Sequence, residues 1–187
     1  MQTKKYKISG KGFTLVEVLV SLSIIVLLGA TLAVKFNSLN INVDLDLAAE
    51  ELIFNMRQAH LFSLTGQTSG GVRPDGGWGI RIRQCNAGDC SYFVFADLVP
   101  AGGNRVYDSA GDEKMVTVGI TDKVYISQIE PASSGVLDIV FAIPQGEVYF
   151  NGSTTFASAT ITISSVIDAS KRQIVIKRDG SRIKVLK

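Results

Sequence analysis

Histidine is all but missing from this 187-residue chain: His60 is the only one, with no ligand-type residue four positions on and no nucleophile nearby. It reads as a structural residue near a helix end. Cysteine is limited to Cys85 and Cys90, so a zinc site would lack two of its four ligands. No nucleophile–base pair, complete metal set or phosphate loop can be assembled from the remaining residues, and an enzyme reading is not supported. The chain also has no internal repeat and no low-complexity tract. Charge is missing from one long stretch: the 22 residues from Phe13 to Val34 carry only Glu17. Acidic residues are missing just before it, where Lys4, Lys5, Lys7 and Lys11 stand alone.

These last two absences define what is present. As a helix the apolar run spans roughly 33 Å, enough for the ~30 Å hydrocarbon core of a bilayer. The lysines keep the N-terminal side cytoplasmic and send the rest outward, and Lys35 can snorkel at the far interface. An ordinary secretory signal would have a shorter apolar region, no carboxylate, and a small-x-small cleavage site, whereas Ala30 and Ala33 are three apart. A plain anchor leaves Glu17 unexplained, because a carboxylate in the membrane costs about 2.5–3.5 kcal/mol on insertion scales and calls for a partner.

Lys11-Gly12 followed by Phe13-Thr14-Leu15-Val16-Glu17 resembles the class III signal of type IV prepilins and type II secretion pseudopilins. The resemblance implies cleavage after Gly12 by a prepilin peptidase and methylation of the new amino group on Phe13. It also implies pairing of Glu17 with the N-terminal amine of a neighbouring subunit in a helical filament. Many major pilins have a proline within this helix; here there is none, and Gly29 is the one weak point. Loss of residues 1–12 would move the net charge from +2 to −2, since four lysines and no acid leave. Net charge therefore gives no case for nucleic-acid binding, which would have to rest on a local patch.

The Asn-rich stretch from Phe36 to Val43 is poor for a helix, so a kink or break is expected within 36–44, with Asp44 or Asp46 capping the next segment. Beyond it Leu45, Ala49, Leu52, Ile53, Met56 and Ala59 share one helical face, read as the face packed on the globular domain. Glu50, Glu51, Arg57 and Gln58 fall on the solvent side, and Gly66 ends the helix. Gly66 to Gly77 is a loop. Trp78 to Arg83 alternates as a strand with Ile80 and Ile82 inward, and Tyr92 to Asp97 pairs with it as a hairpin. Cys85 and Cys90 close the loop between them and read as a disulfide of an oxidising compartment. Further short β runs lie at 115–120, 124–126, 136–141, 147–150, 159–165 and 173–177, with hairpin dipeptides at Asn151-Gly152 and Asp179-Gly180.

The Trp-Gly strand, the Ala96-Asp97 after an aromatic strand, and the Gly103-Asn104…Tyr107-Asp108…Glu113 loop resemble the GspH/FimT branch of the pseudopilins. In that loop Asp97, Asn104, Asp108, Asp112 and Glu113 are weak calcium candidates, against the plainer reading of an acidic, solvated turn. Some FimT-type members are DNA-uptake pilins with a basic C-terminal motif. Gly180-Ser-Arg182-Ile-Lys184 is similar but shifted, which makes Arg178, Arg182 and Lys184 candidates for DNA contact. No aromatic interleaves them, and a solvated strand face is the competing reading.

The expected fold is α+β and pilin-like, a long N-terminal helix packed on a β-rich domain of antiparallel sheets. The expected division is a leader at 1–12, a transmembrane and filament-core helix at 13–35, its amphipathic continuation at 36–66, and a GspH/FimT-like β domain at 67–187. The expected role is a minor pilin or pseudopilin needing no cofactor. Its partners would be other pilins, the prepilin peptidase and methylase, and the cytoplasmic membrane. DNA capture is the alternative.

Overall fold

The computed structural model of the protein describes residues 12–179 and 183–186, and over residues 32–41 the backbone alone. Lys4, Lys5, Lys7, Lys11, the side chain of Lys35, and Gly180, Arg182 and Lys187 lie outside the described residues. Helix α1, Leu15–Thr65, is 51 residues long. Contacts divide the chain into two compact units, with the boundary between Asn40 and Ile41.

In the first unit, the large apolar side chains from Phe13 to Leu28 are 48–80% exposed, with no face of the helix covered. Such a helix, apolar all round, needs apolar surroundings to bury it. In the second unit the same element is amphipathic. Leu45, Ala49, Leu52, Met56 and Ala59 are fully buried with Ile53 beside them, while Glu50, Glu51 and Arg57 stay in solvent. This is the face the spacing predicts.

The expected break in residues 36–44 is not there: α1 remains helical through them. Asp44 and Asp46 are accordingly not caps but side chains in mid-helix. Asp46 accepts from Arg172 Nε at 2.6 Å, Asn42 Oδ1 from the same guanidinium at 3.0 Å, and Asp44 pairs with Lys123 at 3.0 Å. Asn42, Asp44 and Asp46, residues of poor helix propensity, are thus engaged by partners far along the chain, and such tertiary contacts can override propensity. At the other end Gly66 takes φ 64°, its N–H bonding Ser63 O while Gln67 N–H bonds Phe62 O. That pair is a Schellman stop, which needs the left-handed conformation a glycine supplies.

Among the described residues α1 is succeeded by nine strands, all paired antiparallel. They are β1 Gly77–Arg83, β2 Ser91–Asp97, β3 Glu113–Gly119, β4 Val124–Glu130, β5 Val136–Phe141, β6 Val148–Phe150, β7 Ser158–Ser165, β8 Lys171–Lys177 and β9 Ile183–Leu186. One sheet has the order β3-β2-β1-β5-β6, the other β4-β7-β8-β9. The period-2 alternation puts Ile80, Ile82, Tyr92, Val94, Leu137 and Ile139 inward from the first sheet. Ile126, Ile161, Ile163, Ile174 and Ile176 come inward from the second, into one core with the α1 stripe. Polar pegs fix the helix on this core. Ser63 Oγ donates to Phe141 O and accepts from Trp78 N, and Asn55 Nδ2 donates to Tyr92 Oη at 2.9 Å. The chain is α+β and pilin-like, an N-terminal helix on antiparallel sheets.

Candidate functional site

Three places carry the residues singled out by the sequence, and they differ in how their side chains are engaged. At the N-terminal signal, Gly12, Phe13 and Thr14 precede the first helical residue, Leu15. Thr14 is the cap: its Oγ1 accepts from Glu17 N–H at 3.2 Å, and its carbonyl accepts from Val18 N–H. Thr14-Leu15-Val16-Glu17 has the spacing of a capping box, a helix-start signal that sequence reasoning missed because it lies inside the class III motif. Glu17 therefore stands in the first turn of α1, where the positive end of the helix dipole favours a carboxylate. Phe13 is 80% exposed, and a Cβ built on Gly12 meets nothing within 4 Å among the described residues.

The loop from Asp97 to Asp112 lies across the outer face of the five-stranded sheet. Tyr107 sets its ring against Phe93 and Phe95, with centroids at 4.8 and 5.2 Å, and its N–H donates to Asp138 Oδ2. Asp138 is buried and takes a bidentate grip from Arg81 on the neighbouring strand, both bonds 2.7 Å. The calcium candidates are engaged in holding this loop. Asp112 accepts from the N–H groups of Leu98, Val99 and Asp108; Asn104 donates to Asp108; Glu113 accepts from Ser69. Asp97 is fully buried, accepts from Arg105 N–H at 2.7 Å, and is pushed up to about 6, chiefly by burial, with the Asp112 charge adding to it. Gly76 and Gly103 are required here: a Cβ on the first would sit 1.9 Å from Asp97 Oδ2, and on the second 2.0 Å from Gly76 Cα. Among the described residues no group of three or more His, Cys, Asp or Glu side chains is placed to hold a metal ion.

At the C-terminal hairpin Lys184 is exposed, Arg178 donates to Thr154 O, and Arg182 lies outside the described residues. Arg172, on β8 of the same sheet, is committed to Asp46 and Asn42. Lys177, Arg178 and Asp179 line an open depression of about 640 Å³ together with Glu147, so its charge is mixed. Cys85 and Cys90 form a disulfide, with Cα atoms 5.4 Å apart, across the β1–β2 connection. His60 stacks on Phe141 at 4.9 Å, and burial lowers its pKa. Sequence reasoning missed the Arg81–Asp138 pair and the Tyr107 cluster. The outward position of Arg81 is legible, but its partner lies 57 residues away and is fixed only by the β1–β5 register, which sets Arg81 opposite Asp138.

The family described as the prokaryotic N-terminal methylation motif matches residues 9–33. The chain thus carries a prepilin-type class III signal, which supports a type IV pilin-like protein. No curated protein and no solved structure matches the chain.

Proposed function

We propose that the chain is a minor pilin or pseudopilin, a structural subunit of a type IV pilus or a type II secretion pseudopilus. The observation that carries this reading is the placement of the signal: an exposed Phe13 after Gly12, a capped helix start at Thr14, and Glu17 in the first turn of a helix that is apolar all round. Cleavage after Gly12 would leave Phe13 as the new N-terminus, and its amine, methylated by the peptidase, is a cation. A carboxylate in apolar surroundings is tolerated when it is matched. Glu17 and the Phe13 amine of a neighbouring subunit form such a match.

In this reading residues 13–35 span the cytoplasmic membrane, with the N-terminal side cytoplasmic and the β domain outside. Among the described residues no helix is long and apolar enough to cross a membrane; the span to Val34 rests on the sequence, since the described side chains of the run stop at Thr31. The Cys85–Cys90 disulfide fits an oxidising compartment. The work is mechanical: subunits wait in the bilayer and are drawn into a filament by helix packing.

The test is a Glu17→Ala variant expressed with the assembly machinery. Cleaved protein that stays in the membrane and is absent from filaments supports the reading; wild-type incorporation contradicts it. The alternative, DNA capture through Arg178, Arg182 and Lys184, has exposed Lys184 and little else in its favour. Its test is salt-dependent DNA retention that charge reversal at all three positions abolishes.

A further inference from the structure

The outer face of the five-stranded sheet holds an open cleft of about 400 Å³, lined from β1, β2 and β3 and by Tyr107 of the overlying loop. The strand register assembles it. Arg81 stands opposite Phe93, and Phe93 opposite Thr117, one row across three strands. Arg83, two residues on along β1, comes up on the same face about 7 Å away. Three cations, Arg81, Arg83 and Lys114, thus line the cleft, and no acidic residue does. Arg81 is aimed by its bonds to Asp138 through Nε and Nη2, which leave Nη1 for another acceptor. Lys114 Nζ lies 4.4 Å from the Phe93 ring centroid and 5.5 Å from that of Tyr107. The rings hold this ammonium in the cleft, where an exposed lysine would otherwise extend into water. Neither Lys114 nor Arg83 has an ion-pair partner among the described residues.

We propose that this cleft binds an acidic oligosaccharide through the carboxylates of two sugar units. Three cations without an acid among them call for an anion, and the aromatic floor strengthens the attraction by excluding water. The volume is that of a site for an organic ligand, well beyond what a single inorganic ion fills. The positive charge has two centres, Lys114 with Arg81 in one row and Arg83 in the next. A ligand with two carboxylates about 7 Å apart meets both. Between them Ser91 and Thr117 offer hydroxyls, which both donate and accept and so suit the hydroxyls of a sugar. The Phe93 and Tyr107 rings are engaged by cations and by each other, so a nucleobase would have to displace Lys114 to stack. An acidic peptide would draw on backbone pairing at a sheet edge, whereas the cleft opens on the face, where side chains are presented.

The test is calorimetric titration of the full chain in a neutral detergent with a galacturonate trisaccharide, beside its uncharged methyl ester and inorganic phosphate. The expected result is saturable binding of the acid that weakens with added salt, and no binding of the ester. Arg83 and Lys114 are exposed and outside the Arg81–Asp138 pair. Arg83→Gln and Lys114→Gln should therefore leave the melting temperature unchanged and each lower the affinity roughly fivefold. Lys114→Arg, which keeps the charge, should retain binding, as should Lys177→Gln on the other sheet. No binding of the acid, equal binding of the ester, or an affinity that falls with Lys177→Gln and not with the cleft variants overturns the site. Phosphate bound as tightly as the trisaccharide overturns the sugar class. A single-stranded oligonucleotide that binds more tightly through Arg83 and Lys114 overturns it in favour of nucleic acid.

Discussion

Asp97 ends β2 with one carboxylate oxygen bonded to Arg105 N–H and the other, Oδ1, without a partner among the described residues. Its pKa of about 6 stands above the ordinary carboxylate value near 3.9. Between those values the folded protein binds a proton that the unfolded chain does not, so this group lowers stability as pH rises from about 4 to about 6. The slope is no steeper than about 1.4 kcal/mol per pH unit. Asp97→Asn keeps an acceptor for Arg105 N–H and should remove that component; urea unfolding at pH 4.5 and pH 7 measures it, and an unchanged pH dependence contradicts the assignment. His60 acts in the opposite sense. Burial holds its pKa below 6.5, so its contribution is lost as pH falls through that region. Ser63 is a second residue whose role is not visible in composition. Replacing it by alanine leaves Trp78 N–H and Phe141 O unpaired in the core and should cost about 1–3 kcal/mol in denaturant unfolding. A cost below a few tenths would show that the peg is redundant.

Among the elements, strands are the most legible in the sequence because alternation is local: Ile80 and Ile82 inward, Arg81 and Arg83 outward, and the hairpin partner given by the short connection. The helix stop at Gly66 is legible for the same reason, since the Schellman bonds span only five residues. The helix through residues 36–44 is not. Its local propensity points to a break, whereas the partners of its C-terminal part, Arg172 and Lys123, lie 126 and 79 residues from the aspartates they meet. Arg172→Ala should therefore loosen this part of α1 first. The expected outcome is faster amide exchange around residues 42–46 with little change in the five-stranded sheet; uniform protection would contradict the tertiary explanation. The loop over the outer sheet face reads in sequence as an acidic turn with weak calcium candidates. In the fold Asp97, Asn104 and Asp112 accept from the loop's own N–H groups, an arrangement in which Gly76 and Gly103 pack against each other. The Cys85–Cys90 link closes a short loop and should contribute about 2 kcal/mol, so a Cys85→Ser, Cys90→Ser variant should unfold several degrees lower.

For the molecule as a whole, two halves of one helix obey different rules. From Phe13 to Thr31 the described side chains are exposed on all sides and include a single carboxylate, Glu17. From Leu45 onward one side is buried in a β-rich core and the other shows a regular row to solvent. Such a helix leaves an apolar stretch with one carboxylate exposed at one end and an apolar row exposed at the other. A filament of identical or similar subunits would cover both. The measurement that bears most directly on this account is the N-terminal mass of the protein expressed with and without a prepilin peptidase. The account predicts a chain beginning at methylated Phe13 only when the peptidase is present. A chain that keeps residues 1–12 in the presence of an active peptidase would contradict it.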